Sequence, residues 1–194
     1  MTMGSAVDTG LNLATVWEAI ARVTPQRPAL VHGSMTTSWS EFEQRSASLA
    51  ALLDEHGIGS GDNVALYLYN CSEYLEATFA SFKVRAATVN VNYRYLESEL
   101  EYLFTDSEAK AVVFHAEFAD RLESIRSRLE HARVFICVGA TTSNEVPVWA
   151  LDYEREIETH TPLDPIERSA TDRWLLYTGG TTGSPKGVIW THAG

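Results

Sequence analysis

Short apolar runs rich in β-branched residues alternate with longer amphipathic stretches through the middle of the chain, and this alternation predicts strands separated by helices. Strands are predicted over residues 63–69, 87–91, 111–115 and 134–138, with helices over 72–84, 98–105 and 117–130 between them. A chain with this punctuation folds as an open parallel sheet with helices on its faces, so the fold class is α/β. Ahead of it, residues 13–23 read as a helix, followed by a short hairpin. A second helix then follows, with Ser40 and Glu43 at capping-box spacing, an apolar side of Phe42, Ala47, Leu49, Leu52 and Leu53, and Gly57 as its stop. Residues 139–171, with Pro147, Pro162 and Pro165 and many acidic side chains, read as a long surface connection. The carboxylates of Asp152, Glu154, Glu156 and Glu158 are expected to form a solvated face rather than a metal site. The expected divisions are an opening unit over 1–60, a sheet region over 61–140, the connection over 141–172 and a terminal segment over 173–194.

That terminal segment carries the most specific chemistry. Trp174-Leu175-Leu176-Tyr177 and Val188-Ile189-Trp190 read as two strands, and between them runs Thr178-Gly179-Gly180-Thr181-Thr182-Gly183-Ser184-Pro185-Lys186-Gly187. Glycines at 179, 180 and 183 let the backbone approach a ligand closely, so that successive N–H groups converge on an anion. Thr178, Thr181, Thr182 and Ser184 add hydroxyl donors. Lys186 is the only formally charged side chain from Trp174 to Gly194, and Pro185 stiffens the approach to it. The pattern suits a phosphate. It is not a Walker A loop, because Lys186 follows Pro185 and precedes Gly187, and it is not a dinucleotide fingerprint, because a strand rather than a helix follows.

Composition fits a globular domain, with 45% hydrophobic and 21% charged residues. The formal net charge of -11, with no basic run, argues against nucleic acid or an anionic membrane as the main partner. A phosphate must then be held by short-range donors and Lys186 against the global field. Cys71 and Cys137 form no metal-binding or redox spacing and are expected as reduced, buried thiols. The first residues carry no basic region and no apolar core, and no uncharged apolar run approaches eighteen residues. A cytoplasmic protein without a transmembrane segment is expected.

The stretch from Leu175 to Lys186, with its Gly-Thr-Thr-Gly core and Pro-Lys-Gly, closely resembles the phosphate-binding signature of the AMP-forming adenylate synthetases, the superfamily of acyl-CoA synthetases, luciferases and peptide-synthetase adenylation domains. Weaker likenesses extend upstream, to the helix over residues 13–23, to Arg27-Pro28-Ala29-Leu30 and to Thr37-Ser38-Trp39-Ser40-Glu41-Phe42. Residues 86–95, ending in Asn90-Val91-Asn92-Tyr93-Arg94-Tyr95 and followed by Glu99-Leu100, resemble a segment of acyl-CoA synthetases and tilt the reading toward acyl-CoA ligases. Asn90, Asn92, Arg94 and Tyr95 are candidates for a ligand contact, although asparagines at strand ends more often satisfy local backbone groups. Thr191-His192 also recurs at this place in the family. Read as residues alone, Thr191 caps a following helix and His192 sits in its first turn.

The resemblance implies a two-step reaction. A carboxylate, in particular a fatty acid, attacks the α-phosphate of ATP and releases pyrophosphate, and the thiol of CoA then displaces AMP. It assigns the catalytic role to Lys186 and the nucleotide-binding role to Tyr177, Thr178, Gly179, Gly180, Thr181, Thr182, Gly183, Ser184, Pro185, Lys186 and Gly187, with no side-chain metal ligand among them. It also implies that the magnesium-binding glutamate, the ribose-binding aspartate, the domain hinge and a second catalytic lysine fall beyond residue 194. The 194 residues are therefore expected to be an N-terminal fragment, inactive alone, with unpaired sheet edges and apolar faces and poor solubility. Three other readings stay open: a non-enzymatic nucleotide-binding or interaction module, an adenylate-forming ligase for amino or aryl acids, and a phosphoryl-transfer enzyme with a similar loop.

Overall fold

A computed structural model describes residues 11–141, 145–178 and 185–193. Helix α1 (Leu13–Val23) leads to a hairpin of β1 (Pro28–His32) and β2 (Met35–Ser38), then to α2 (Trp39–Glu55). The units β3 (Asn63–Tyr67), α3 (Ser72–Lys83), β4 (Ala87–Asn90), α4 (Glu97–Asp106), β5 (Ala109–His115), α5 (Ala119–Ile125) and β6 (Val134–Val138) alternate as expected. They are followed by β7 (Leu151–Asp152), α6 (Tyr153–Thr159), β8 (Arg173–Thr178) and β9 (Lys186–Thr191). Among the described residues the main sheet has the order β7-β6-β5-β3-β4-β8-β9, parallel throughout except for β9, which runs antiparallel to β8. The α/β reading holds.

Alternation along the strands builds two cores. Val64 and Leu66 of β3 and Ala111 and Val113 of β5 face Leu49, Leu52, Ala77 and Ala80 of α2 and α3, whereas Ala65, Tyr67, Val112 and Phe114 face Leu100, Leu103, Phe104 and Leu122 of α4 and α5. A third, aromatic cluster joins the first three helices, with the Trp17 and Phe79 ring centroids 5.0 Å apart and those of Phe42 and Phe79 5.2 Å apart.

Buried charge reinforces that helical junction. Lys83, 1% exposed, donates to Glu18 Oε1 at 2.7 Å and Glu43 Oε1 at 2.6 Å, while Arg168 grips both oxygens of Glu18 at 2.9 and 2.8 Å. Burial opposes ionisation of Glu18, but the Arg168 and Lys83 hydrogen bonds outweigh it and hold its pKa below the usual value. A second cluster places the Arg45 guanidinium against Glu76 at 2.9 Å and Glu154 at 2.7 Å.

Two expectations need correction here. The capping box of α2 is Ser38 and Glu41, not Ser40 and Glu43. Glu41 Oε2 accepts from the Ser38 N–H at 2.8 Å and Ser38 Oγ accepts from the Glu41 N–H at 3.2 Å, because the Trp39 N–H is tied to the Arg27 carbonyl at 3.0 Å and the helix starts there. Glu43 is committed to Lys83 instead. The segment over 139–171 is likewise more than a connection, since it contains β7 and α6. Tyr153 and Ile157, one helical turn apart, are buried, and Asp152 caps the helix by accepting from the Arg155 N–H at 2.8 Å. Of the four carboxylates expected in water, Asp152 is therefore a cap and Glu154 an ion-pair partner. Both thiols are free, with Cys137 buried and Cys71 half-buried, and burial pushes their pKa values up to about 11 and about 12.

Candidate phosphate-binding hairpin

β8 begins beside the ionic junction and ends at the conspicuous loop. Arg173 pairs with Thr191, and the ladder continues through Trp174 with Trp190, Leu176 with Val188 and Tyr177 with Gly187 to Thr178 with Lys186. Of the residues expected to hold phosphate, Gly179, Gly180, Thr181, Thr182, Gly183 and Ser184 lie outside the described residues. The hairpin brings Tyr177, Thr178, Pro185, Lys186 and Gly187 together where the two strands meet that segment. Directly opposed residues of an antiparallel pair share a face. Thr178 and Lys186 therefore project on one side, both exposed, so that a hydroxyl and an ammonium flank the mouth of the loop.

Tyr177 and Gly187 occupy the other face, where β8 packs on the α4 side. A Cβ on Gly187 would sit 3.0 Å from Tyr177 Cζ, so the ring lies directly over the glycine and any larger residue would displace it. The Tyr177 hydroxyl donates to Asp106 Oδ2 at 2.8 Å. Burial first, and the neighbouring Asp106 second, raise its pKa, so the phenol stays a donor. Asn90, at the end of β4, accepts from the Tyr177 N–H at 2.8 Å and donates to the Tyr177 carbonyl at 3.3 Å. Tyr102 of α4 donates to the Pro185 carbonyl at 3.2 Å. Sequence reasoning assigned no role to Tyr102 or Asp106, which carry no motif, and placed Asn90 only among possible ligand contacts.

Of that Asn-Tyr-Arg-Tyr stretch, Asn92 does play the local part expected of a strand-end asparagine, accepting from the Arg94 N–H at 3.0 Å. The ring of Tyr93 lies 4.9 Å from that of Tyr69, which also packs 5.3 Å from His115 and 5.1 Å from Phe118. Arg121 donates to the Tyr67 hydroxyl at 3.0 Å and the Tyr93 carbonyl at 3.2 Å. This cluster sits at the carboxyl ends of β3 and β5, neighbours in the sheet whose onward connections lead in opposite directions. Open α/β sheets bind ligands at such a point.

Thr191 is the last residue of β9, and His192 lies in a turn with its N–H donated to the Asp172 carbonyl at 3.1 Å. Its Nδ1 accepts the Leu13 N–H at 3.0 Å, so it caps α1 alongside Asn12, and Asn12 in turn bonds Asp172 at 3.1 Å. A neutral ring is required, because Nδ1 accepts. Burial lowers the pKa of His192 against the pull of Asp172, and burial likewise lowers that of His115 against Glu117 and Glu73. Both folded-state values lie below the unfolded one, so the stability that these rings contribute is present above about pH 6.5 and is lost as pH falls through their folded values. Thermal stability should therefore fall steadily below about pH 6.5, and His192→Gln should flatten part of that slope. An unchanged slope would remove His192 from the account. Among the described residues no group of three or more His, Cys, Asp or Glu side chains is placed to hold a metal ion, and no helix is long and apolar enough to cross a membrane.

The chain is similar to a medium-chain acyl-CoA ligase, Mig, of Mycobacterium avium, with 36% identity over 96% of this chain and 36% of that protein. It is also similar to a 3-oxocholest-4-en-26-oate–CoA ligase of Rhodococcus rhodochrous, with 36% identity over 94% of this chain and 33% of that protein. The chain thus spans about a third of the length of these curated relatives. Its fold matches that of the anthranilate–CoA ligase AuaEII, solved with anthranoyl-AMP, at a TM-score of 0.88 with 23% identity over 99% of this chain and 37% of that one. The N-terminal domain of FACL13 from Mycobacterium tuberculosis superimposes at 0.80 with 25% identity over 93% and 44%. A family model described as AMP-binding enzyme matches residues 17–194, which takes in the helical junction, the sheet and the whole hairpin, and the chain belongs to that family.

Proposed function

We propose that residues 177–187 hold the β- and γ-phosphates of ATP in an enzyme that activates a carboxylic acid and passes it to CoA. The observation that carries this reading is the register of the hairpin. It sets Lys186 opposite Thr178 at the mouth of an uncharged segment of Gly, Thr, Ser and one Pro, with no other charged side chain in the two paired strands from Trp174 to Thr191. In the first step a carboxylate oxygen attacks the α-phosphorus, the bond to the bridging oxygen breaks, and pyrophosphate leaves. Lys186 neutralises the charge that builds on that leaving group, and the hydroxyls and glycine amides orient it. In the second step a thiol attacks the acyl carbonyl and AMP departs. Mg²⁺ would accompany ATP and screen the triphosphate, held by phosphate oxygens rather than by a carboxylate cluster of this segment. The remaining groups needed for both steps, including those around the ribose, are supplied by the part of the relatives' length that the chain does not span.

Relatives named for medium-chain and steroid-side-chain acids support a fatty or similarly apolar carboxylate as the substrate. A cytoplasmic site of action suits the use of ATP and CoA. The test is product analysis with the full-length polypeptide that carries this segment, supplied with ATP, CoA and a series of fatty and steroid acids. AMP and pyrophosphate in equal amounts, dependent on the acid, are expected. ADP and orthophosphate as products would overturn the reading.

A further inference from the structure

We propose that α4 is a brace for the phosphate-binding hairpin, with Tyr102 and Asp106 as positioning residues and Asn90 completing the hold from β4. The proposal rests on the phosphate-binding reading above and goes beyond it, because none of these side chains belongs to the loop or its motif. A loop that must place donors against a leaving group depends on where its two stems are fixed. The main-chain ladder fixes them poorly on the inner side, since among the described residues β4 and β8 are registered only through Val89 and Leu175. Side chains take over beyond that point. Asn90 reproduces a two-bond backbone pairing with Tyr177, the last residue before Thr178. Asp106 anchors the Tyr177 hydroxyl from the last turn of α4, and one turn earlier Tyr102 anchors the other stem through the Pro185 carbonyl, next to Lys186.

The two stems are therefore tied to one rigid helix at points four residues apart, with the Tyr177 ring wedged over Gly187 between them. This fixes the separation of Thr178 and Lys186 from outside the hairpin. Tyr102 and Asp106 never touch the phosphates. They act by limiting how far Lys186 can drift from the position at which it meets charge developing on pyrophosphate.

The experiment uses the full-length polypeptide with Tyr102→Phe, Asp106→Leu, the double variant and Asp106→Asn, which keeps an acceptor for the Tyr177 hydroxyl. The double variant is expected to lower kcat/KM for ATP about tenfold, with KM for CoA unchanged, and Asp106→Asn to restore most of the loss of Asp106→Leu. Amide hydrogen exchange at Gly187 and Val188 should quicken in the double variant. Faster exchange with unaltered ATP kinetics would make the contacts merely structural and overturn the positioning role, and so would unaltered exchange. A wild-type enzyme that forms no AMP would instead overturn the phosphate-binding reading itself, and the brace with it.

Discussion

Lys83→Met should be the most damaging single substitution for stability, costing about 3–5 kcal/mol, the range for breaking a buried ion pair from one side. Lys83 is 1% exposed and its ammonium meets Glu18 and Glu43 while lying 4.5 Å from the Phe79 ring centroid. Methionine fills the space of the aliphatic stem but leaves Glu18, itself buried, with Arg168 as its remaining cation, and Glu43 with its carboxylate turned into a region where Oε2 already has no partner. For a domain of this size such a loss lowers the melting temperature by roughly 6–20 °C. Circular dichroism at pH 7 decides it. A fall under about 2 °C would mean that the charges are solvated and that packing alone holds α1, α2 and α3 together. The consequence reaches the site, because Arg168, Asp172 and Arg85 form the route by which this junction sets the start of β8. Arg168 donates to the Lys83 carbonyl at 3.0 Å and Arg85 to Asp172 at 2.8 Å.

Lys186→Ala should have the largest effect on chemistry. It removes the only side-chain cation between Trp174 and Gly194 from the mouth of the loop while leaving the hairpin ladder, which is backbone, intact. The side chain is exposed, so the melting temperature should stay within about 2 °C of the parent. Adenylate formation by the full-length enzyme should fall about 10²–10³-fold, the usual cost of deleting one donor aimed at developing charge. Lys186→Arg should recover little, because a planar guanidinium cannot take the place of a compact ammonium beside Thr178. Steady-state kinetics with ATP varied would show the loss mainly in kcat if Lys186 acts on the leaving group. A loss confined to KM would reduce it to ground-state binding.

The strands and helices of the sheet region were legible because both periodicities were strong there. Buried runs such as Val64 to Tyr67 and 111–114, bounded by polar turns, leave little choice of element. The loop could be singled out as a candidate because the chemistry proposed for it is local, with every group expected to meet phosphate lying within a dozen consecutive residues. What escaped was non-local. Nothing in the spacing of Asn90 shows that its amide would pair with the backbone of a residue 87 positions later. The same holds for Tyr102 and Asp106, which look like ordinary helix-surface residues until β8 and β9 are laid beside α4. Ser40 and Glu43 have the same spacing as Ser38 and Glu41, and only the backbone tie from Trp39 to Arg27 selects the earlier pair. Helix α6 was hidden in an acidic, proline-punctuated stretch because its buried face is only Tyr153 and Ile157, too short a repeat to stand out.

The apolar outer face of the hairpin has the same non-local origin. Trp174, Leu176, Val188 and Trp190 are 42%, 38%, 41% and 52% exposed, on the face that also carries Thr178 and Lys186. If further residues cover this face, the lower local dielectric would strengthen the proposed attraction of Lys186 for a phosphate.

The most direct test of the central claim, that this hairpin grips the pyrophosphate end of ATP, is acid-dependent exchange of labelled pyrophosphate into ATP by the full-length enzyme in the absence of CoA. The exchange reports the first step alone and requires pyrophosphate to be bound as a reactant. The account predicts exchange in the wild type, its loss in Lys186→Ala, and an intermediate rate in the double variant Tyr102→Phe/Asp106→Leu. Undiminished exchange in Lys186→Ala would contradict it and place the pyrophosphate elsewhere.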